Sequence, residues 1–382
     1  MRDTPYQNKN NCSGCGACID ICPKNAIRMV DDGVGFEYPK IDTKRCIQCG
    51  LCQNCCPEKE SELQIPLTQY AAINGNNQQR AFSSSGGIFP AIAETLLKKG
   101  WHVFGATLLQ GEFAVRHIEI TTLDDLWKIQ GSKYVKSDLT GVFKQVKKLL
   151  NLGEKVVFSG TPCQVSALKK YVKKEYDTLL LIDLICHGTP SPVWWKESLK
   201  LFGTRYNAVV SSVKFRDNEQ PDKSHYGKIN LSNGMELSYS RANSSFYDLF
   251  LNSSILRASC FSCQFASIHR PGDITLGDFW NFGKEYDVEL LAEQDNVDLH
   301  HGISCVLINT AKGMSTIKSI GSGTWFKEVE LRSIVDNNDQ LQHPTSKGKN
   351  RDTALFLYKH FGYIAVDEYW EVKNRVKKLL KR

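Results

Sequence analysis

A cysteine run written twice near the N-terminus restricts this chain more than any other feature. The first copy is Cys12-x-x-Cys15-x-x-Cys18-x-x-x-Cys22-Pro23 and the second is Cys46-x-x-Cys49-x-x-Cys52-x-x-x-Cys56-Pro57. Residues 1 to about 65 are dense in cysteine and short of apolar periodicity. Such a segment buries little apolar surface of its own and must be held by coordinate or covalent bonds. A disulfide framework would need an oxidising compartment and usually a small secreted domain. This chain has 382 residues and 14 cysteines, and Met1 to Asn11 is polar, without the apolar core of a signal peptide. Metal ligation is therefore expected.

The spacing selects the metal. Zinc knuckles use two separated pairs of ligands. Here a triplet plus one is written twice, the spacing of bacterial ferredoxins, in which the fourth cysteine of each run serves the other cluster. Three cysteines two residues apart can wrap one face of a cubane while the turn's amides bond its sulfides. Gly14, Gly16 and Gly50 permit the tight backbone this needs. The proline after each fourth cysteine redirects the chain. The expectation is a 2[4Fe–4S] ferredoxin-type domain over residues 1–65. One cluster falls to Cys12, Cys15, Cys18 and Cys56, the other to Cys46, Cys49, Cys52 and Cys22. Cys55 is spare, and Cys305 has no assigned role.

Beyond residue 65 the pattern changes. Gln78 to Ser85 is polar and reads as the junction to a main domain. Apolar residues of helical period run from Ile88 to Leu97. Strands are expected at Trp101–Leu109, Phe113–Ile120, Lys155–Ser159, Leu179–Ile185 and Ile303–Asn309. Helices are expected over Thr140–Leu150, over Gln164–Lys173, after Ser191-Pro192, and near 351–361 and 366–381. Strands alternating with helices predict a parallel sheet with helices packed on it. Residues 208–240 look antiparallel instead. The fold class is thus mixed α+β and α/β, a small ferredoxin-like module followed by a larger domain over 66–382.

Four more cysteines sit where α/β sheets place ligands. Cys163 lies where a strand turns into a helix, Cys186 ends the next apolar strand, and Cys260-x-x-Cys263 is a loop pair. The ends of neighbouring parallel strands lie together in space. These thiols could form one Cys₄ site, or they could be buried apolar cysteines plus an ordinary loop pair. Spacing leaves both open.

Taken in order, a set of motifs resembles the coenzyme F420 hydrogenase/dehydrogenase beta-subunit family, which includes a plant chlorophyll reductase branch. They are Ser84-Ser85-Gly86-Gly87, Gly131-Ser132-Lys133-Tyr134-Val135-Lys136-Ser137, Phe158-Ser-Gly-Thr-Pro-Cys-Gln164, Cys186-His187-Gly188, Phe215-Arg216-Asp217, Cys260-x-x-Cys263, and Gly272-Asp-Ile-Thr-Leu-Gly-Asp278-Phe-Trp280. They run from about residue 80 to 310. Asn281 departs from the pattern, where glycine is expected. The resemblance implies FAD beside a third [4Fe–4S] cluster held by Cys163, Cys186, Cys260 and Cys263. Ser85, Gly86 and Gly87 at a helix start would seat a pyrophosphate. Lys133 would pair with phosphate or with the flavin's N1–C2=O edge. Tyr134 would stack on or flank a ring, and Ser137 completes the cofactor-binding set. No catalytic residue is assigned. His187 reads equally as proton donor and structural histidine, and Phe279 and Trp280 as core.

The function this implies is a flavin-dependent iron–sulfur oxidoreductase, joining two-electron (hydride) chemistry to one-electron transfer. The alternative is a non-catalytic electron-transfer subunit of a larger complex. A ferredoxin alone needs only the first 65 residues, so the large second domain favours catalysis. A small-molecule redox substrate and a protein electron donor or acceptor, a ferredoxin or a partner subunit, are expected. A nucleic-acid binder is excluded by ligand spacing and by basic residues confined to one tail. The formal charge is +7, and the last ten residues carry Lys373, Arg375, Lys377, Lys378, Lys381 and Arg382 with no acid. These fit a solvated helix end, with a membrane surface or anionic partner as the other reading. The longest apolar stretch, Leu179 to Cys186, is too short to span a bilayer, so a cytoplasmic location is expected.

Overall fold

Short apolar runs bounded by turns, spread over residues 68–328, fold into one broad sheet clothed by helices. The computed structural model describes residues 3–59, 61–217, 226–299, 302–321 and 323–380. Lys381 and Arg382, part of the basic tail, lie outside the described residues. The strands are β1 (Ile27–Asp31), β2 (Glu37–Ile41), β3 (Thr68–Asn74), β4 (His102–Leu109), β5 (Ala114–Ile120), β6 (Val156–Gly160) and β7 (Leu179–Leu184). Then follow β8 (Val210–Lys214), β9 (Gly227–Leu231), β10 (Glu236–Tyr239), β11 (Ile274–Asp278), β12 (Ser304–Ile308) and β13 (Thr324–Glu328). Among the described residues these form the hairpin β1-β2, the sheet β10-β9-β8, and an eight-stranded sheet in the order β13-β3-β12-β11-β7-β6-β4-β5.

The centre of the large sheet is parallel, as alternation predicts: β4, β6, β7 and β11 run together. Its flanks are antiparallel. Side chains alternate across it. Phe158 packs with the helices Val142–Asn151 and Pro162–Val172, while Val157 packs with the helix Ile88–Leu97 on the other face. That double cover explains why β6 and β7 read as unbroken apolar runs. The antiparallel expectation for residues 208–240 holds in β8–β10, which pack against the helices Pro192–Arg205 and Ser245–Leu251.

One expectation changes. Gln78–Ser85 is not an interdomain junction, because β3 before it already pairs with β12 and β13 inside the large sheet. The two expected C-terminal helices hold: the helical run Arg351–Leu379 is parted at Gly362, whose backbone (φ 75°, ψ −175°) is not helical. No helix among the described residues is long and apolar enough to cross a membrane.

The cysteine-rich module is welded to the large domain by buried bonds. The Asp20 carboxylate accepts from the Gly141 and Phe143 amides (2.9 and 3.2 Å), capping the helix Val142–Asn151 from across the boundary. Trp194 Nε1 donates to Val34 O at 2.9 Å. Cys15, Ala17 and Cys55 share a core with Phe158 and Leu181.

Candidate functional site

Within the module, a turn brings distant cysteines together. Gly14, Gly16 and Gly50 all have positive φ, 64°, 81° and 73°. Each of the latter two starts a short helix, Ala17–Asp20 or Leu51–Asn54, that presents the next cysteine inward. Cys12, Cys15, Cys18 and Cys56 line one small cavity of about 20 Å³. Cys52 feels Cys22 and Cys46, and Cys22, Cys46 and Cys52 pack around Ile27 and Ile41. Cys49 is at the surface. Cys55 belongs to neither group: it is fully buried, and its thiol donates to Cys52 O at 3.5 Å. Cys305 is likewise buried in β12, facing Asp278 O.

In the large domain, β6 and β7 deliver Cys163 and Cys186 to one edge of the sheet. The 3₁₀ turn Ala258–Ser262 brings Cys260 and Cys263 to the same edge. All four line a cavity of about 140 Å³ with His187, Thr189 and Arg270. Burial pushes the Cys263 thiol up to about 12, with Cys163 and Cys260 beside it adding to the rise. Burial first, then Cys260, Cys163 and Cys263, raises Cys186 strongly. In the module, burial takes Cys15 to about 12 and Cys56 to about 11. Thiols this reluctant to ionise need a cation to become ligands.

The donor set fits iron–sulfur clusters better than single ions. No three His, Cys, Asp or Glu side chains among the described residues converge on one ion position. A cubane instead spaces its ligands around a core. Amides are aimed at the sulfurs: Ala26 N to Cys22 (3.3 Å), Gln48 N to Cys46 (3.4 Å) and Thr189 N to Cys260 (3.4 Å). The backbone of Ala17, Glu58, Gly188 and Phe265 similarly favours thiolate at Cys15, Cys56, Cys186 and Cys263. Hydrogen bonds to sulfur are one lever on cluster potential. Ser13 Oγ is buried without a partner beside these cavities.

The two cavities share a wall. Asn11, Ser13, Pro57 and Glu58 line both. Cys163 lies close enough to Cys15 to add to the electrostatic cost of ionising it.

The segment 131–137 threads along the same edge. Ser132 N donates to Ser84 Oγ at 2.7 Å, tying it to the Ser84–Gly87 turn. Ser85 Oγ donates to Ile303 O, and a Cβ on Gly86 would lie 2.4 Å from Ala72 O, so that turn sits hard against the sheet. The helix Ile88–Leu97 follows, and its N-cap Gly87 gives it no side-chain cap. Lys133 Nζ donates to Gln130 O at 2.6 Å and meets no carboxylate among the described residues. Burial pulls its ammonium down to about 7. Beside it, His117 Nε2 bonds Ser159 O at 2.9 Å, and burial lowers this imidazole to about 4. Among the described residues, His117 Nδ1 and Arg216 Nε are buried without partners. Tyr134 is stacked on Phe250 at 5.0 Å and edged by Phe215 and Tyr247, so its ring is engaged by protein aromatics. Ser137 accepts from Gln164 Nε2 at 2.9 Å and so belongs with the Cys163 turn. Arg216 pairs with Asp278 at 2.7 Å and lies over Trp280. Three motifs distant in sequence therefore meet here. His187 is held by Phe250 O and Ser253 Oγ. Asn281 adopts φ 57°, where asparagine is the best substitute for the expected glycine. The sequence assigned no role to Lys136 and Arg257, which stand beside Gly14, Arg257 buried and Lys136 partly buried.

Two regions of the chain match known protein families. The family model for the C-terminal region of the coenzyme F420 hydrogenase/dehydrogenase beta subunit matches residues 153–333, and a 4Fe-4S dicluster domain matches residues 11–59. The chain is thus similar to that beta-subunit family over residues 153–333 and carries a dicluster module at its N-terminus. Its fold is similar to a chain of the F420-reducing [NiFe] hydrogenase complex from Methanosarcina barkeri, with a TM-score of 0.50 at 16% identity, covering 77% of this chain and 93% of that one. No curated protein matches. Family and module together make the protein an iron–sulfur oxidoreductase component that transfers electrons through [4Fe–4S] clusters.

Proposed function

We propose that this protein is a flavin-dependent iron–sulfur oxidoreductase that joins two-electron chemistry at FAD to one-electron transfer through three [4Fe–4S] clusters. The cluster ligands in this reading are Cys12, Cys15, Cys18 and Cys56; Cys46, Cys49, Cys52 and Cys22; and Cys163, Cys186, Cys260 and Cys263. The shared wall of Asn11, Ser13, Pro57 and Glu58 carries it, because it sets two of the three sulfur sites back to back. Electron-transfer centres must lie in sequence, and the exposed Cys49 gives the Cys46/Cys49/Cys52/Cys22 site an exit to solvent.

The FAD part rests on Ser85, Gly86, Gly87 and Lys133. A helix start without a side-chain cap supplies free amides for an anion. The unpaired, half-buried Lys133 supplies positive charge, and the unpartnered His117 Nδ1 and Arg216 Nε supply polar contacts. A flavin bound there would supply hydride exchange with a small-molecule substrate. The aromatic shell of Tyr134, Phe250 and Phe215 excludes water from that side.

The test is anaerobic reconstitution followed by flavin extraction. About twelve iron and twelve sulfide per chain are expected, from three Cys₄ sites at four iron each, together with FAD. Lys133→Ala should lower flavin content or flavin potential and leave iron unchanged. Iron near eight removes the large-domain cluster. Full iron without flavin favours the non-catalytic electron-transfer subunit.

A further inference from the structure

Two cations, Arg257 buried and Lys136 partly buried, occupy the seam between the first-run cysteines and the large-domain cysteines. Arg257 is 2% exposed. Its Nε donates to Cys12 O at 2.6 Å, and its Nη2 to Glu37 O at 2.8 Å and toward Cys12 Sγ at 3.8 Å. Its guanidinium lies over the Tyr38 ring, 4.1 Å from the centroid. Lys136 Nζ donates to Gly14 O. Its ammonium lies within electrostatic reach of the sulfurs of Cys15, Cys12 and Cys163, and of the like charge of Arg257.

Gly14 shows how tightly this is built. A Cβ on it would lie 2.7 Å from Lys136 Nζ and 2.9 Å from Arg257 Cζ. Its φ of 64° suits glycine too, but the cations alone would exclude a side chain. Neither cation forms a salt bridge with any described residue, whereas the neighbouring buried Arg270 has Asp183 at 2.5 Å. Two like charges buried side by side without a carboxylate are costly. Something negative has to stand beside them. A [4Fe–4S] core with four thiolates is a net anion, and it gains a further negative charge on reduction.

We infer that Lys136 and Arg257 form a cationic bridge between the Cys12/Cys15/Cys18/Cys56 site and the Cys163/Cys186/Cys260/Cys263 site, favouring the reduced state of both clusters. They are positioning residues: they hold the Cys12–Gly14 backbone and act on the clusters through the field. The inference rests on the three-cluster reading and concerns how two of those clusters are tuned.

The test is a redox titration followed by EPR on the full-length reconstituted protein, with iron and sulfide counted in each sample. Lys136→Met and Arg257→Gln should keep their iron and lower the reduced-to-oxidised ratio at the seam about tenfold at a fixed poise. That is about 59 mV for a one-electron couple. Lys136→Arg and Arg257→Lys should restore most of it, and the Cys46/Cys49/Cys52/Cys22 signal should not move. Unchanged potentials with full iron overturn the bridge. If the neutral variants lose iron while the charge-keeping ones retain it, retention itself reads the charge and supports the bridge. Equal iron loss in both kinds makes the residues packing elements and overturns it. A wild-type count near eight iron instead sinks the large-domain cluster, and the effect on the first-run signal still decides the role of the cations there.

Discussion

The two cysteine runs have the same spacing and opposite surroundings. Cys12, Cys15 and Cys18 are buried against the large domain, with Lys136 and Arg257 over their turn. Cys46 and Cys52 are half-buried, and Cys49 and Ile47 reach solvent. One cysteine pattern therefore stands in two settings, one interior and one open to solvent. The cysteine spacing does not distinguish them. The distinction comes from Asp20, which caps the helix Val142–Asn151, and from Ala17, which packs into the core.

The largest effect should come from crossing the runs. Cys56→Ser should remove the interior cluster, and Cys22→Ser the surface one, each a loss of about four iron by the crossed ligation. EPR resolves which signal goes. If Cys22→Ser spares the signal of Cys46, Cys49 and Cys52, the symmetry between the runs is broken at its root.

Next is the support beneath the interior side. Asp183 and Arg270 are a fully buried pair beside Cys263, and the Asp183 carboxylate also accepts from Gly272 N at 2.9 Å. Removing one partner of such a pair costs about 3–5 kcal/mol. Asp183→Ala should lower the unfolding free energy by that order in urea titration and release iron from the large domain before the surface cluster. Equal loss at both ends would mean that the two regions unfold as one unit.

The weld gives a smaller, sharper test. Asp20→Ala deletes the cap to Gly141 and Phe143, a change of about 1–2 kcal/mol. It should expose the interior run, so that a chelator strips both module clusters at similar rates. In the wild type the surface cluster should go first. If Asp20→Ala leaves that order intact, Asp20 does not protect the interior run.

The smallest effect concerns pH. Burial holds Lys133 near 7 in the folded chain against 10.5 for an ordinary lysine. Between those values the unfolded chain binds more protons, so stability of the flavin-free protein should rise with pH across that window. Lys133→Met should flatten the rise. Added FAD should do the same in the wild type, by giving the ammonium an anion. A flat wild-type profile would mean that Lys133 is solvated.

Much of this was legible in the chain. The twofold run identified the module, and the alternating apolar runs at 101–109, 155–159 and 179–185 became β4, β6 and β7 within a residue or so. Other strands were less legible: β3, β11 and β13 lack a strong period-two signal because neighbouring elements as well as water decide their faces. The polar stretch at 78–85 resembled a linker because the helix Asn77–Ala81 is short and polar.

By itself the sequence determined the ferredoxin-type module, because tight turns with two-residue spacing set three thiols on one face locally. Only the tertiary structure decided which run is interior, and which lysine of the 131–137 segment faces sulfur. In extended backbone, residues an odd number apart leave on opposite sides. Lys133 turns to Gln130 and Lys136 to Gly14. Reading Lys133 as the chief charge in that motif overlooked its neighbour. The sites of burial and charge here are made by residues more than a hundred positions apart, and their meeting depends on packing energy summed over the whole fold.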